Sequence, residues 1–445
     1  MEPVVSIVGR PNVGKSTLFN RMAGESIAIV EDLPGTTRDR IFASVDVLGR
    51  SLTLIDTGGL ELKPSDVMGR KVKKQVEAAI AESDAIIFVV DVREGLIAAD
   101  QEIADKLRRL GKPVVLAANK AETEKLRAAG SEFYRLGLGD PLPVSAHHGK
   151  GMGELFEALA SKLPAAEEPA GETVRPGLAI VGRPNVGKSM LVNAIVGEER
   201  VIVDDTAGTT RDATDTVFRH DDKEVVLVDT AGMRKRGKAG TGLGFYMLVR
   251  TLRAINRCDV ALLVMDASEP VTDQDAHIAG YIKEACKGIV LLVNKCDLVD
   301  ADRRAEYMEA IERRMKFIAH APVLFVSALT GTGVRDIIPV ALEVWRERQK
   351  RLPDEVIDKL IRDAVVSHAP PPRGTRRLEI FRAYQSGINP PSFTFVVNDP
   401  ALLHFSYKRY LENRLRQTFG FTGTSLKLLF KTAPKKPIKT GGKFT

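Results

Sequence analysis

Cysteine is scarce in this chain, with three in 445 residues: Cys258, Cys286 and Cys296. An odd number without Cys-x-x-Cys spacing argues against a disulfide framework and against a zinc site, and points to incidental thiols in a reducing cytoplasm. The histidines form no metal-ligand spacing, and His147-His148 reads as a loop pair. Long apolar runs are also missing. Ala85–Val90 and Ile289–Val293 are among the longest, far short of the roughly 20 residues a membrane helix needs. A strand pattern begins by Val4, leaving no room for a secretory leader. At 44% hydrophobic and 28% charged residues the composition is that of a globular rather than a disordered chain, and two to four domains are expected.

Excess charge is lacking from most of the chain. The first 350 residues carry 48 Lys+Arg against 51 Asp+Glu, whereas residues 351–445 carry 17 against 7. The whole basic excess, net +7, therefore comes from the last segment, and such a segment on a near-neutral body suggests a polyanion partner, with solvated surface charge as the alternative.

Gly9-Arg10-Pro11-Asn12-Val13-Gly14-Lys15-Ser16 follows the apolar run Val4–Val8 and precedes a helical pattern. Strand, glycine turn and helix are the context a phosphate-binding loop requires. Glycines let backbone N–H groups wrap phosphate oxygens, and the helix N-terminus adds partial positive charge. Lys15 would reach the β- and γ-phosphates, and Ser16 would hold Mg²⁺. The phrase returns as Gly182-Arg183-Pro184-Asn185-Val186-Gly187-Lys188-Ser189, with Lys188 and Ser189 in the same places.

That repetition organises the chain. Residues 1–163 read as an alternating α/β unit with strands over Val4–Val8, Ile41–Val47, Ser51–Asp56, Ala85–Val90, Pro113–Ala118 and Pro143–Ser145. Helical patterns cover Ser16–Ala23, Lys71–Glu82, Asp100–Leu110, Glu122–Ala129 and Gly153–Leu163. Buried strands alternating with amphipathic helices imply a mostly parallel sheet covered on both faces. Residues 164–177 form a Pro-containing linker, and residues 178–350 repeat the first unit at an offset of 173 that grows to 182. Residues 351–433 read α-β-β-α-β, a small α+β domain: helix Pro353–Ser367, strands Arg377–Tyr384 and Ser392–Val397, helix Pro400–Phe419, strand Ser425–Phe430. Residues 434–445 are a basic tail.

Further motifs fall at matching places in both copies. Asp56-Thr57-Gly58-Gly59 and Asp229-Thr230-Ala231-Gly232 each follow an apolar strand, where the aspartate can support Mg²⁺ and the glycine can meet the γ-phosphate. In Pro34–Asp39 and Ala207–Asp212 a threonine hydroxyl can complete the metal shell only with γ-phosphate present; Thr37 and Thr210 are favoured over Thr36 and Thr209. Asn294-Lys295-Cys296-Asp297 ends in a carboxylate that can accept both the N1–H and the exocyclic amine of guanine, a pairing adenine does not offer. Asn119-Lys120-Ala121-Glu122 is its counterpart, with the longer acid. Ser145-Ala146 and Ser327-Ala328 sit where backbone N–H groups can reach the guanine O6. Two sites for GTP and GDP with Mg²⁺ are expected.

Two such domains followed by a small basic one resemble the Der (EngA) family of bacterial ribosome-assembly GTPases over nearly the whole chain. The resemblance implies two tandem P-loop GTPase domains and a KH-like C-terminal domain. It also implies GTP hydrolysis in the cytoplasm in maturing the large ribosomal subunit, with rRNA as partner, neither DNA nor membrane, and a monomer when free. Leu60 and Met233 stand where Ras-like GTPases carry a water-orienting glutamine. Resemblance to related GTPases implies that K⁺, held by Asn12 and Asn185, replaces part of the missing charge; asparagine as a simple turn former is the alternative. Catalytic roles are thus expected for Lys15, Asn12, Lys188 and Asn185.

In the C-terminal domain Gly420-Phe421-Thr422-Gly423 lies between a helix and the last strand, so it reads as a cap and turn rather than an RNA clamp. Lys408, Arg409, Arg414 and Arg416, interleaved with Phe405, Tyr407 and Tyr410, are candidate RNA contacts, the aromatics reading more often as core. The basic stretch Arg234–Lys238 has no counterpart in the first copy.

Overall fold

A computed structural model describes residues 3–26, 42–57, 83–163, 175–198, 215–221, 223–230 and 243–433. The expected helix Lys71–Glu82, the Pro34–Asp39 and Ala207–Asp212 segments with their threonines, Gly58–Leu60, Ala231–Met233, Arg234–Lys238 and the 434–445 tail lie outside the described residues. Contacts divide the chain into two compact units. One comprises Met1–Arg175, Asp205–Thr216 and Leu227–Cys258; the other comprises Pro176–Asp204, Val217–Val226 and Asp259–Thr445.

The first repeat forms a six-stranded sheet from β1 (Val4–Val8), β2 (Phe42–Val47), β3 (Arg50–Asp56), β4 (Ala85–Asp91), β5 (Val114–Asn119) and β6 (Leu142–Pro143), in the order β2-β3-β1-β4-β5-β6. Only β2 runs antiparallel, joined to β3 through Leu48-Gly49, both at positive φ. Every residue of β1, β4 and β5 is buried, which is why these strands read as unbroken apolar runs rather than alternating ones. One face packs Val5, Ile7, Ile87 and Val89 under α1 (Lys15–Ser26), through Leu18, Phe19 and Met22, and under the later helix at Met152–Lys162, through Leu155 and Leu159. The other face packs Ile86, Phe88 and Val90 against Ala104 and Leu107 of α2 (Ala98–Leu110). Gly111 closes α2 at φ 63°, the left-handed cap that glycine adopts without strain.

Most element bounds in this repeat shift by one to three residues from expectation, and two of the shifts bear on the motifs. Helix α3 spans Glu124–Ala129, not Glu122–Ala129, because the Thr123 hydroxyl accepts from Leu126 N and starts the helix there. Glu122 is thereby left in the loop. The last strand is only Leu142–Pro143; Ser145 instead pairs in a bridge with Lys150 before α4 (Met152–Lys162).

The second repeat supplies β7 (Gly177–Val181), α5 (Lys188–Glu198), β8 (Thr216–His220), β9 (Lys223–Leu227), α6 (Leu243–Arg257), β10 (Val260–Asp266), α7 (Asp273–Glu284), β11 (Gly288–Asn294), α8 (Ala301–Arg314), β12 (Val323–Phe325) and α9 (Ile337–Gln349). Its sheet order, β12-β11-β10-β7-β9-β8, is the first sheet read from the other edge. The strand at Gly177 opens inside the segment read as linker. Sequence periodicity gave no hint that α6 stands in the same compact unit as the first sheet, where Arg253 Nη2 lies 3.0 Å from Asp84 Oδ1 and Asn256 hydrogen-bonds Thr53.

The C-terminal domain is α10 (Asp354–Ser367), β13 (Ile380–Gly387), β14 (Ser392–Val397), α11 (Phe405–Phe419) and β15 (Lys427–Thr432). The α-β-β-α-β order stands. β13 and β14 are antiparallel, and β14 and β15 parallel. Phe393, Phe395 and Val397, at strand spacing, meet Ile357, Ile361, Leu411 and Leu415 from the helices. The expected helix Pro400–Phe419 is two pieces. Asp399 caps a 3₁₀ turn at Pro400–Leu402, and His404 starts α11 by accepting from Ser406 N.

This domain is seamed to the second repeat. Ile289 N donates to Gly423 O and Gly423 N to His320 O, each at 2.7 Å. Phe421 N donates to Glu347 Oε2 at 2.7 Å, and Lys350 Nζ to Phe419 O at 2.6 Å. Arg348, 1% exposed, donates to Asn389 Oδ1 and Cys286 O. The Gly420–Gly423 loop is thus a joint between domains, consistent with its reading as a turn and not a clamp.

Candidate functional site

The P-loop arises where β1 ends and α1 begins. Asn12 and Gly14 take φ 64° and 95°, so the chain doubles back within four residues. Asparagine and glycine are residues that tolerate this left-handed region. Gly9 leaves no room for a side chain: a Cβ there would lie 2.4 Å from Val89 O. Lys15, 4% exposed, donates to the carbonyls of Gly9 and Arg10 at 2.7 and 2.8 Å. Ser16 is exposed in the first turn of α1.

Asn119 ends β5 and stitches the glycine turn to the loop that carries Ser145-Ala146. Its Nδ2 donates to Val13 O at 2.9 Å, and its Oδ1 accepts from Ala146 N at 3.0 Å. A Cβ on Gly14 would lie 2.4 Å from that same Nδ2. Lys120, at φ 68°, donates to Asn12 O at 2.9 Å and pairs with buried Asp91. Arg21 from α1 reaches back to the carbonyls of Ala146 and His147, at 3.0 and 2.6 Å. Asp56, 2% exposed, ends β3, and the hydroxyl of Thr57 donates to Ile7 O at 2.6 Å.

The second copy repeats this geometry. Gly187 and Asn185 sit at φ 96° and 66°. Asn294 Nδ2 donates to Val186 O at 2.8 Å, and Ala328 N to Asn294 Oδ1 at 3.1 Å. Lys295 pairs with Asp266 as Lys120 does with Asp91. Lys188 donates to the carbonyls of Gly182 and Arg183 at 2.7 and 2.6 Å. Burial pulls its ammonium down to about 8 from the ordinary lysine value, because a desolvated pocket disfavours the charged form. Asp229 differs from Asp56: it lies in a turn at φ 58°, and its Oδ1 is 3.1 Å from Arg250 Nη2.

Motif reading missed one recurring support. Arg10 Nε lies 3.3 Å from Asp100 Oδ1, and Arg183 Nε 3.4 Å from Asp275 Oδ1, with both aspartates fully buried. Each aspartate also accepts from its own helix start, at Ile97 N and Thr272 N. Burial pushes the Asp100 carboxyl up, against the pull of Arg10. The signal was present in sequence: Asp91/Asp266 and Asp100/Asp275 share the offset of 175 that relates Asn119 to Asn294.

In the C-terminal domain, Arg416 is turned inward. It pairs with Glu412 at 2.8 Å and donates to the carbonyls of Phe421 and Thr424, so it is not a candidate RNA contact. Tyr407 and Tyr410 are core, their hydroxyls donating to His368 O and Ala364 O. Arg409 and Phe405 remain exposed. None of the three cysteines is in a disulfide, no described group of His, Cys, Asp and Glu could hold a metal by itself, and no described helix is long and apolar enough to cross a membrane.

Residues 4–120 and 177–295 match the family described as 50S ribosome-binding GTPase, and residues 351–431 match the KH-domain-like family of EngA bacterial GTPase enzymes, C-terminal. The chain is 48% identical over 441 residues to "GTPase Der" of Desulforamulus reducens, covering 98% of this chain and 100% of that one. It is likewise 48% identical over 433 residues to "GTPase Der" of Moorella thermoacetica, covering 97% and 98%.

Proposed function

Because this chain belongs to the Der family of GTPases, we propose that it hydrolyses GTP to GDP at two sites and uses that cycle to control its association with the maturing large ribosomal subunit. The observation that carries the reading is the Asn119 stitch, repeated by Asn294. One side chain in each copy ties the glycine turn to the Ser-Ala loop, which supports reading the two as the phosphate and base ends of one nucleotide site.

The roles follow from placement. Backbone N–H groups of the P-loop and the α1 or α5 N-terminus face the phosphates. Lys15 and Lys188 exchange carbonyl partners for phosphate oxygens and stabilise the charge that develops on them. Glu122 and Asp297 accept the two guanine N–H donors. Ser16 and Ser189, with Asp56 and Asp229 and the favoured Thr37 and Thr210, offer only hard oxygen donors, which suits Mg²⁺. When bound, that ion neutralises charge on the β- and γ-phosphates. The side-chain oxygens of Asn12 and Asn185, at exposed turns, are of the type that holds K⁺. The same asparagines also supply the left-handed turn, so the two roles are compatible.

Hydrolysis is expected to run about tenfold faster in KCl than in NaCl at equal ionic strength, a modest charge-stabilisation effect. Phosphate release followed in both salts checks this, and equal rates would remove the K⁺ role. The ribosomal reading is tested by crosslinking the GTP- and GDP-loaded protein to ribosomal particles. Label confined to the large subunit, and stronger with one nucleotide, is the expected result; an absence of ribosomal crosslinks would overturn it.

A further inference from the structure

The two base-reading loops are not equivalent. The second ends in Asp297; the first ends in Glu122, one methylene longer, in the loop just before Thr123 caps α3. Two residues past the end of β4, Arg93 places Nη2 3.1 Å from Glu122 Oε2. The Glu122 side chain is 18% exposed and that of Arg93 57%. The backbone N of Arg93 donates to Asp91 Oδ1 at 2.9 Å, so the turn that carries this arginine is itself tied to the strand end. Lys150 Nζ donates to the Glu122 carbonyl at 3.2 Å, holding the main chain beneath the acid.

The equivalent of Arg93 in the second copy is Ser268, and the equivalent of Lys150 is Thr332. Ser268 carries no charge, and its N and Oγ both turn back to Asp266 Oδ1, at 3.0 and 2.6 Å. The longer acid is therefore accompanied by a guanidinium and the shorter acid by a self-contained turn.

We propose that Arg93 is a specificity-determining positioning residue of the first site, bracing the Glu122 carboxylate so that a longer acid can read the two N–H donors of guanine. The inference rests on the guanine-nucleotide reading above. Glutamate has one more rotatable bond than aspartate to immobilise when it meets the base. An ion pair made beforehand fixes that bond before the base arrives. Glu122 Oε2 makes no hydrogen bond among the described residues, so the contact with Arg93 is one of charge and leaves the carboxylate lone pairs to the two guanine donors.

The test uses the full chain carrying Asp297→Asn, which removes one acceptor from the second site and leaves guanine reading to the first. Binding of fluorescent GDP is compared with that of fluorescent inosine diphosphate, which lacks the exocyclic amine. Arg93→Ser is expected to weaken GDP binding by about three- to tenfold and to narrow the preference for GDP over inosine diphosphate, as loss of a half-exposed brace should. Arg93→Lys should retain part of the preference. In a Glu122→Asp background, Arg93→Ser should have no effect, because the shorter acid needs no brace. An unchanged preference in Arg93→Ser, or an equal loss in both backgrounds, would overturn the proposal. A parent that does not prefer GDP at all would instead remove the base-reading assignment, and this inference with it.

Discussion

Gly14→Ala lowers nucleotide affinity at the first site by at least ~100-fold, equivalent to about 3 kcal/mol. Two costs coincide. The position holds φ 95°, which alanine adopts only with strain, and the new Cβ would stand 2.4 Å from Asn119 Nδ2. Asn119 cannot yield cheaply, because it is bonded to Val13 O on one side and Ala146 N on the other. One added methyl therefore disturbs the phosphate cradle and the base loop together. Gly187→Ala should do the same at the second site, where the approach is 2.3 Å to Asn294 Nδ2. Gly24→Ala is the control: it lies in α1 with nothing within 4 Å of its Cβ, and should be neutral or stabilise by roughly 0.5–1 kcal/mol. Titration with a fluorescent GDP analogue separates these cases, and tight binding by Gly14→Ala would show that Asn119 is not the stitch described.

Gly423→Ala destabilises the joint between the C-terminal domain and the second repeat by roughly 3 kcal/mol, through overpacking and a left-handed backbone together. At φ 65° a Cβ would meet Val344 Cγ2 at 2.4 Å, Ile289 O at 3.0 Å and Pro322 Cδ at 3.1 Å. Its own N–H and C=O are both committed across the seam, to His320 O and Ile289 N. The residue has no direction in which to move. Denaturant unfolding should show the C-terminal transition shifted to lower concentration and separated from that of the second repeat. The transition of the first repeat should be unchanged. Coincident unfolding at the wild-type midpoint would mean that the seam contributes nothing.

The pair of P-loops, the alternation of buried strands with helices and the guanine-reading motifs were legible in the chain. Each is a local pattern: a turn that only glycine or asparagine allows, an apolar run at strand length, a carboxylate at fixed spacing after an asparagine. The duplication multiplied that information, since each motif recurs at a related offset. Boundaries were less legible, because a cap such as Thr123 or His404 competes with the helical period around it and wins through one hydrogen bond.

Sequence by itself thus determined the fold class and the motifs from which the chemistry of each site is proposed. Tertiary structure decided how residues far apart serve one another. Asn119 became a stitch only once β5 lay beside β4, one strand removed from the P-loop strand β1. Arg416 looked like an RNA contact until the fold closed three partners around it. Gly420–Gly423 was a turn in sequence and became a domain joint through contacts with residues more than 70 positions away, such as Glu347 and Ile289. Arg93 and Glu122 carry opposite charges 29 positions apart, and no periodicity links them; only the parallel pairing of β4 with β5 brings the two strand ends, and the loops after them, side by side. Local rules act through neighbours in the chain, whereas charge pairing and close packing act through distance in space, and the distance is set by the sheet.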